Sequence, residues 1–276
     1  MNKQNLEDKL ITDFGNEWSS FDQINLSLEE KKKIFNDYFS IFPTNFLNKS
    51  NNGFDLGSGS GRWAYFIAPQ VKELICIEPS KAIEISKKNL SKYNNIKFLK
   101  EKVSNLSIKD ESMDFGYSLG VLHHIFDTEE ALKICVKKLK IGAPFLLYLY
   151  YNLDNRPVSF KIIYKISNFF RIFISKLPFL IKKSICTIIA ICIYYPLARI
   201  SFFLKYLNIP TENIPLSYYS DKSFYIMLND SLDRFGTKIE KRYSKKQISE
   251  MMKASGLTNI IFKDGFPYWV SIGFKK

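Results

Sequence analysis

The segment Asp55-Leu56-Gly57-Ser58-Gly59-Ser60-Gly61 begins in the last residues of a short predicted strand, residues 53–56, and leads into a predicted helix, residues 62–68. Alternate glycines let the backbone turn tightly and approach a ligand closely, and the helix that follows offers unpaired N–H groups. A nicotinamide dinucleotide fingerprint needs a glycine where Arg62 stands, so the spacing weighs against that cofactor. We expect a ligand on this turn; a strand-to-helix turn that binds nothing is the alternative.

Strands and helices alternate on both sides of the turn. A helix is predicted at 28–42, and the turn is followed by strands at 73–77, 96–100, 113–119 and 145–150 with helices at 80–93 and 127–139. Such short apolar strands between helices are typical of a parallel sheet covered on both faces. Near the end, a capping box of Ser244 and Gln247 predicts a helix to residue 255. Strands at 259–263 and 268–274 follow, joined too closely for a parallel crossover. The sequence therefore predicts an α/β fold, a doubly wound, mostly parallel seven-stranded sheet.

An acidic residue ends the second predicted strand, 17 residues after Gly61. A carboxylate at this place, Glu78, can accept two hydrogen bonds from ribose hydroxyls. The glycine turn and the acid together indicate a ligand that contains adenosine.

On these residues the chain resembles the class I S-adenosylmethionine-dependent methyltransferases of the small-molecule type, over roughly residues 54–150 and 244–274. The glycine turn matches the first motif of that family, Glu78 matches its ribose-binding acid, and residues 113–115 and 119–124 match its fourth strand and the segment after it. The resemblance implies a Rossmann-like methyltransferase fold and S-adenosyl-L-methionine as cofactor. It also implies the cofactor-binding residues Asp55, Gly57, Ser58, Gly59, Gly61, Glu78, Pro79, Val103, Ser104 and Leu119.

The resemblance assigns roles within that set. Asp55 and the glycine turn would hold the methionyl end of the cofactor, Glu78 the ribose, and Val103 with Ser104 the adenine. Many relatives carry an aspartate for the adenine amino group where Lys102 stands here, with Glu101 beside it. The adenine contact is therefore expected from the backbone around Val103, or from Glu101.

The two histidines of the chain, His123 and His124, follow the fourth predicted strand, at the edge where open α/β sheets bind ligands. One of them could act as the catalytic general base for a hydroxyl acceptor; the alternative is that both pack beside the cofactor. Asp127 is expected to cap a helix. Trp18, near the start, could cover the cofactor pocket or contact the acceptor, and packing alone explains it nearly as well.

The chain has 276 residues, of which 46% are hydrophobic, so it can bury one large or two small cores. Its formal charge is +13. Its 4 cysteines form no Cys-x-x-Cys pair, and with 2 histidines no standard zinc site is expected. A reduced, cytoplasmic protein without a signal peptide is expected, with membrane association as an addition. The predicted domains are a helical lead or lid at 1–50, a core at 51–151 and 217–276, and an insertion at 152–216.

The insertion differs in composition, because residues 155–211 contain nine basic residues, many Ile and Phe, and no acidic residue. Cations among aromatic residues suit contact with an anionic membrane surface. The alternative is a helical cap that encloses the acceptor or meets a second subunit. Its longest uncharged stretch, residues 184–198 with Pro196 inside, is shorter than the roughly 20 residues of a membrane span, so no span is expected.

The sequence thus predicts methyl transfer to a small-molecule or lipid-linked acceptor, at oxygen or carbon, by in-line displacement. Tentative acceptor contacts are Arg156, Tyr218, Tyr219, Arg234 and Arg242. The rivals are an RNA methyltransferase that uses the basic aromatic insertion, disfavoured because no RNA-binding module accompanies it, and a binding protein without turnover. The oligomeric state is not predicted.

Overall fold

The computed structural model describes residues 3–23 and 26–276. Seven strands form one sheet in the order β3-β2-β1-β4-β5-β7-β6. The first five are parallel, whereas β7 runs antiparallel to β5 and β6. The strands are β1 (Asn52–Leu56), β2 (Glu73–Ile77), β3 (Ile96–Leu99), β4 (Phe115–Leu119), β5 (Pro144–Tyr148), β6 (Leu257–Phe262) and β7 (Val270–Lys275). The prediction of a doubly wound, mostly parallel seven-stranded sheet is confirmed.

Ten α-helices accompany the sheet in the described part of the chain. They are α1 (Lys3–Ser20), α2 (Leu28–Phe39), α3 (Ala64–Ile67), α4 (Ala82–Asn89), α5 (Thr128–Lys138), α6 (Val158–Ile174), α7 (Phe179–Ile189), α8 (Tyr195–Tyr206), α9 (Phe224–Gly236) and α10 (Lys245–Ala254). Asp127 caps α5 by accepting a hydrogen bond from the Glu130 N–H, and Ser244 forms the predicted capping box with Gln247. Short polar side chains thus fix where these helices begin.

Aromatic side chains of neighbouring parallel strands fill the interior of the sheet. Phe54, Phe115 and Phe145 are fully buried, and a Cβ at Gly53 would lie 2.0 Å from the Phe115 ring. The strands can therefore carry large rings side by side only because glycine faces them. This packing fixes the register of β1 and β4, and with it the edge where both strands end.

The chain divides into two compact units. Unit 1 comprises Met1–Asn152 and Ile239–Lys276 and contains the sheet; unit 2 comprises Leu153–Lys238. Unit 2 contains α6, α7, α8 and α9. It extends beyond the predicted insertion of 152–216, because α9 packs on α6 and α7.

Helices α7 and α8 form one continuous helix, Phe179–Tyr206, joined by a π-helical turn at Ala190–Tyr194. The wider π turn precedes Pro196, which has no N–H and would clash with a carbonyl one turn earlier in a regular helix. This helix of 28 residues is, in the described ranges, the one element long and apolar enough to cross a membrane. The helix continues through Pro196 and is longer than the uncharged stretch 184–198, so length alone does not exclude a span; that no span forms stays a prediction.

Candidate active site

The glycine turn leaves β1 with its three glycines in the left-handed region, at φ +77° for Gly57, +52° for Gly59 and +80° for Gly61. The N–H groups of Gly57 and Ser58 both donate to the Ile77 carbonyl at the end of β2, at 2.8 and 3.0 Å. Any side chain would be strained at such φ values. The turn is thus held against the next strand at the carboxyl edge of the sheet.

Glu78 faces this turn and not bulk water. Its Oε2 accepts a hydrogen bond from the Gly59 N–H at 3.1 Å, and its Oε1 accepts one from the Ser80 N–H at 3.0 Å. The side chain is buried. The predicted juxtaposition of acid and glycine turn is present because β1 and β2 are parallel neighbours that end at one edge.

Asp55, the last polar residue of β1, is buried; the Tyr117 hydroxyl lies beside its carboxylate, but neither carboxylate oxygen has a partner with full hydrogen-bond geometry in the described structure. Burial raises its pKa to about 8; the Glu78 carboxylate contributes to this rise, whereas the neighbouring Tyr117 hydroxyl and Arg62 partly offset it. The hydroxyls of Ser58 and Ser60 are also buried without a partner in the described structure. Buried polar groups normally find partners, so these four atoms indicate a polar ligand.

Helix α1 covers the turn. A Cβ at Gly59 would lie 2.9 Å from Trp18 Cε2, so the indole packs directly on the turn, and the Arg62 guanidinium lies 5.3 Å from the centroid of the same ring. The Phe14 ring lies 4.9 Å from that of His124. The predicted covering position of Trp18 is therefore where the structure places it, while its contact with the acceptor stays a prediction.

The residues predicted to contact adenine follow β3. Val103 and Ser104 lie in a 3-10 turn, Val103–Asn105, in which Val103 packs on the core and Ser104 is exposed. Lys102 pairs with Asp8 of α1 at 2.6 Å, and the Glu101 carboxylate accepts a hydrogen bond from the Ser107 N–H at 2.9 Å. Both side chains thus have protein partners; whether adenine is held by the backbone around Val103 or by Glu101 stays a prediction.

The remaining predicted cofactor residues lie at the same edge. Pro79 directly follows Glu78, and Leu119 is the last residue of β4. Next along the chain, Gly120 has a φ of +80°, and a Cβ there would meet no atom within 4 Å. The carboxyl end of β4 is therefore open beside the glycine turn.

The histidines lie in a 3-10 turn just beyond β4, Leu122–His124, and both are buried. The His123 ring stacks on Tyr150 at a centroid distance of 3.9 Å, and neither of its nitrogens has a hydrogen-bond partner in the described structure. Burial holds the pKa of His123 well below its ordinary value, and His124 and Arg242 add to this effect. His123 is therefore a neutral imidazole at physiological pH.

His124 is oriented by a backbone contact, because its Nδ1 lies 2.6 Å from the Ile239 carbonyl oxygen. A carbonyl can only accept, so Nδ1 carries the proton and Nε2 is the basic nitrogen. This arrangement suits a general base. The role of either histidine in catalysis stays a prediction.

Sequence reasoning missed the shell that holds this pair. Tyr150 stacks on His123, Ile239 orients His124, and Glu240 binds Arg242 at 2.7 Å, with Arg242 lying 5.2 Å from the centroid of the Tyr150 ring. The sequence gives only a weak signal for this shell. Arg242 is one of the tentative acceptor contacts, but no residue next to it in the sequence indicates the histidines, which lie more than 100 positions earlier.

The other tentative acceptor residues belong to unit 2. Arg156 donates to the Glu212 carbonyl at 2.8 Å, the Tyr218 and Tyr219 rings contact each other, and Arg234 lies over the Tyr164 ring. Their contact with an acceptor stays a prediction.

The central part of the chain matches a known protein family. The family profile described as "Methyltransferase domain" matches residues 54–147, which include the glycine turn, Glu78 and both histidines. No curated protein matches the chain in sequence.

Solved structures share the fold at low sequence identity. The YcgJ protein of Bacillus subtilis superposes with a TM-score of 0.50 and 14% identity, over 86% of this chain and 70% of its own. A candidate methyltransferase of Bacillus halodurans has a TM-score of 0.50 and 11% identity, over 85% and 72%. A chain of the complex between the Haloferax volcanii Trm112 methyltransferase activator and a candidate methyltransferase has a TM-score of 0.51 and 12% identity, over 95% and 96%.

The site residues fit the cofactor of this family, since an unpartnered carboxylate, two unpartnered hydroxyls and an acid-braced glycine turn form one polar cradle. Residues 54–147 therefore match a methyltransferase domain, and the chain has the fold of the solved structures named above.

Proposed function

We propose that this methyltransferase transfers methyl to a hydroxyl oxygen or an acidic carbon of a small-molecule or lipid-linked acceptor, by in-line displacement. The observation that carries the proposal is the histidine pair at the end of β4, on the edge where the glycine turn lies. Methylation at oxygen or carbon releases a proton, and a neutral imidazole can take it.

S-adenosylmethionine, when bound, supplies a methyl group already activated on a sulfonium centre. The residues of the chain then need only bind the cofactor, orient it and exclude water. Asp55 would hold the positively charged methionyl end, and Glu78 would accept hydrogen bonds from the ribose hydroxyls. Trp18, on α1, would exclude water from the turn.

In this proposal His124 accepts the proton of the acceptor at Nε2. The Ile239 carbonyl keeps Nδ1 protonated and fixes the ring. His123 stacks on Tyr150 behind it and remains neutral, because burial holds its pKa well below the ordinary value. His123 is then a positioning residue.

The test combines binding and metabolite analysis. Isothermal titration with S-adenosylmethionine and S-adenosylhomocysteine measures the cofactor site in the wild type and in Glu78→Ala. A comparison of extracts from wild-type and deletion cells then identifies the acceptor as a compound that loses one CH₂ on deletion and regains it with the wild-type gene. Complementation by His124→Gln should fail although that variant binds cofactor; full complementation would remove His124 from the mechanism.

A further inference from the structure

Unit 2 has an unusual surface, because its helices turn their apolar side chains outward. Ile162, Ile166 and Phe169 on α6 are exposed, as are Leu180 and Phe203 on the α7–α8 helix; the exposed fractions are 58% for Phe169, 77% for Leu180 and 60% for Phe203. So many large exposed apolar side chains are unusual on a protein surface that contacts only water.

Several polar side chains lie in the interior of unit 2. Arg171 on α6 is buried and donates to the Thr237 carbonyl at 2.7 Å, Lys182 is buried and donates to the Gly236 carbonyl at 3.1 Å, and Ser231 of α9 donates to the Cys186 carbonyl at 2.9 Å. The stripe of the α7–α8 helix that is buried consists of small and polar residues: Lys182, Cys186, Ala190, Tyr194, Ala198 and Ser201. Buried polar groups thus lie in the unit beside buried apolar side chains of α9, such as Met227 and Leu232, while many large apolar side chains of α6 and the α7–α8 helix are exposed.

Charge identifies what covers the apolar side. Residues 155–211 contain nine basic residues and no acidic one. Lys161, Lys165 and Lys176 are exposed near the apolar side chains of α6. Long lysine stems can lie along hydrocarbon while their ammonium groups reach anionic headgroups. A second protein copy would bring the same positive charge to the contact and be repelled, whereas an anionic lipid surface would be attracted.

Chain connectivity decides how deep the unit reaches. The chain leaves unit 1 after Asn152 and returns at Ile239, and the Asn152 N–H donates to the Tyr243 carbonyl at 3.0 Å within unit 1. Both ends therefore lie on the same side of any membrane, which requires an even number of crossings. The described chain contains one helix able to cross, and that helix has a buried polar stripe along one side. A helix with one polar and one apolar side lies in the plane of the interface.

We propose that unit 2 is a monotopic membrane-binding unit, which inserts the outer faces of α6 and the α7–α8 helix into one leaflet of an anionic bilayer. In this proposal membrane binding depends on apolar contact as well as on charge. It places the enzyme at a lipid surface, which suits a lipid-linked acceptor. The proposal rests on unit 2 alone and does not depend on the methyl-transfer reaction.

The test is flotation of the full-length protein with vesicles of phosphatidylcholine alone or mixed with phosphatidylglycerol. Binding should be stronger with the anionic vesicles and should persist in part at high salt. Phe169→Glu with Phe203→Glu should lower binding at least tenfold, whereas Ile141→Glu, at an apolar residue of unit 1 that is even more exposed, should not change it. Lys161→Gln and Lys165→Gln should each weaken binding about fivefold, only with anionic vesicles.

Depth is measured with a tryptophan at Phe173, since the three natural tryptophans lie outside residues 153–238. Lipids brominated on their acyl chains should quench Phe173→Trp and leave the wild-type emission unchanged. The proposal is overturned if the protein fails to float with either vesicle. Two further results would overturn it if vesicle binding is absent. One is a dimer, seen by analytical sedimentation, that the Phe203→Glu change dissociates. The other is RNA binding that requires Lys161 and Lys165. Cofactor titration on the same samples reports on the methyltransferase site separately.

Discussion

The Glu78 carboxylate accepts a hydrogen bond from the Gly59 N–H at 3.1 Å, so the acid that ends β2 braces the glycine turn that leaves β1. One side chain thereby links the two features on which recognition of the cofactor depends. In the proposed function the same carboxylate also accepts the ribose hydroxyls, so its loss should affect both the shape of the turn and cofactor binding.

We expect Glu78→Gln to weaken S-adenosylhomocysteine binding by about 10- to 100-fold, because hydrogen bonds to a charged group contribute about 1.5–3 kcal/mol. Isothermal titration measures this. Glu84→Gln is the control, since Glu84 is exposed on α4 and pairs only with Lys87 in the described structure. Equal affinities of wild type and Glu78→Gln would contradict the ribose role.

Asp55 should make cofactor binding depend on pH. Its pKa of about 8 means that the carboxyl is largely protonated below that pH, and binding a cationic methionyl group requires release of the proton. Affinity should therefore rise with pH between about 6 and 7.5, by up to tenfold per unit. Asp55→Asn should bind more weakly and lose this slope; a variant with the wild-type slope would assign the proton to another group.

Gly57→Ala should destabilise the protein by about 3 kcal/mol. Its φ is +77°, which costs an L-residue about 1–2 kcal/mol, and the new Cβ would lie 2.3 Å from Val121 Cγ2. Gly142→Ala is a matched control, with the same φ of +77° and no atom within 4 Å, and should cost about 1 kcal/mol. Denaturant unfolding measures both. Val121→Ala should restore part of the Gly57→Ala loss, and equal costs at the two glycines would contradict the contact.

His123 should lower stability in mild acid. Its folded-state pKa is depressed, so its contribution is fully present above the unfolded value near 6.5 and is lost as pH falls below it. Between about pH 7 and 5.5 the wild type should lose about 1 kcal/mol relative to His123→Phe, which keeps an aromatic ring on Tyr150 but cannot bind a proton. Urea unfolding at both pH values gives the difference. Parallel pH profiles for the two proteins would show that His123 is charged in the fold.

Much of the fold and of the cofactor cradle could be predicted because their signals are local. Gly59 and Glu78 lie close together because parallel strands end at the same edge of the sheet. Once the strands are predicted from the sequence, this rule places the two residues near each other. The histidine shell could not be predicted, because Tyr150 and Ile239 reach His123 and His124 from two distant segments. The length of the α7–α8 helix could not be predicted for a different reason. A π turn allows the helix to continue through Pro196, and no residue type in the sequence marks such a turn.

The insertion shows a further limit of sequence reasoning. Isoleucine and phenylalanine at helical spacing predict an apolar face, but not whether that face lies inside or outside. The buried Lys182 and the exposed Phe203 become informative only when both are placed on one helix.

The most direct test of the central claim is an amide titration of ¹⁵N-labelled protein with S-adenosylhomocysteine, recorded by transverse-relaxation-optimised NMR. We predict that the resonances of Gly57, Gly59 and Gly61 shift, while those of Gly142 and Gly265, which share their left-handed backbone but lie outside the turn, stay in place. If the three turn amides do not respond, or if only distant amides do, this turn does not bind the cofactor.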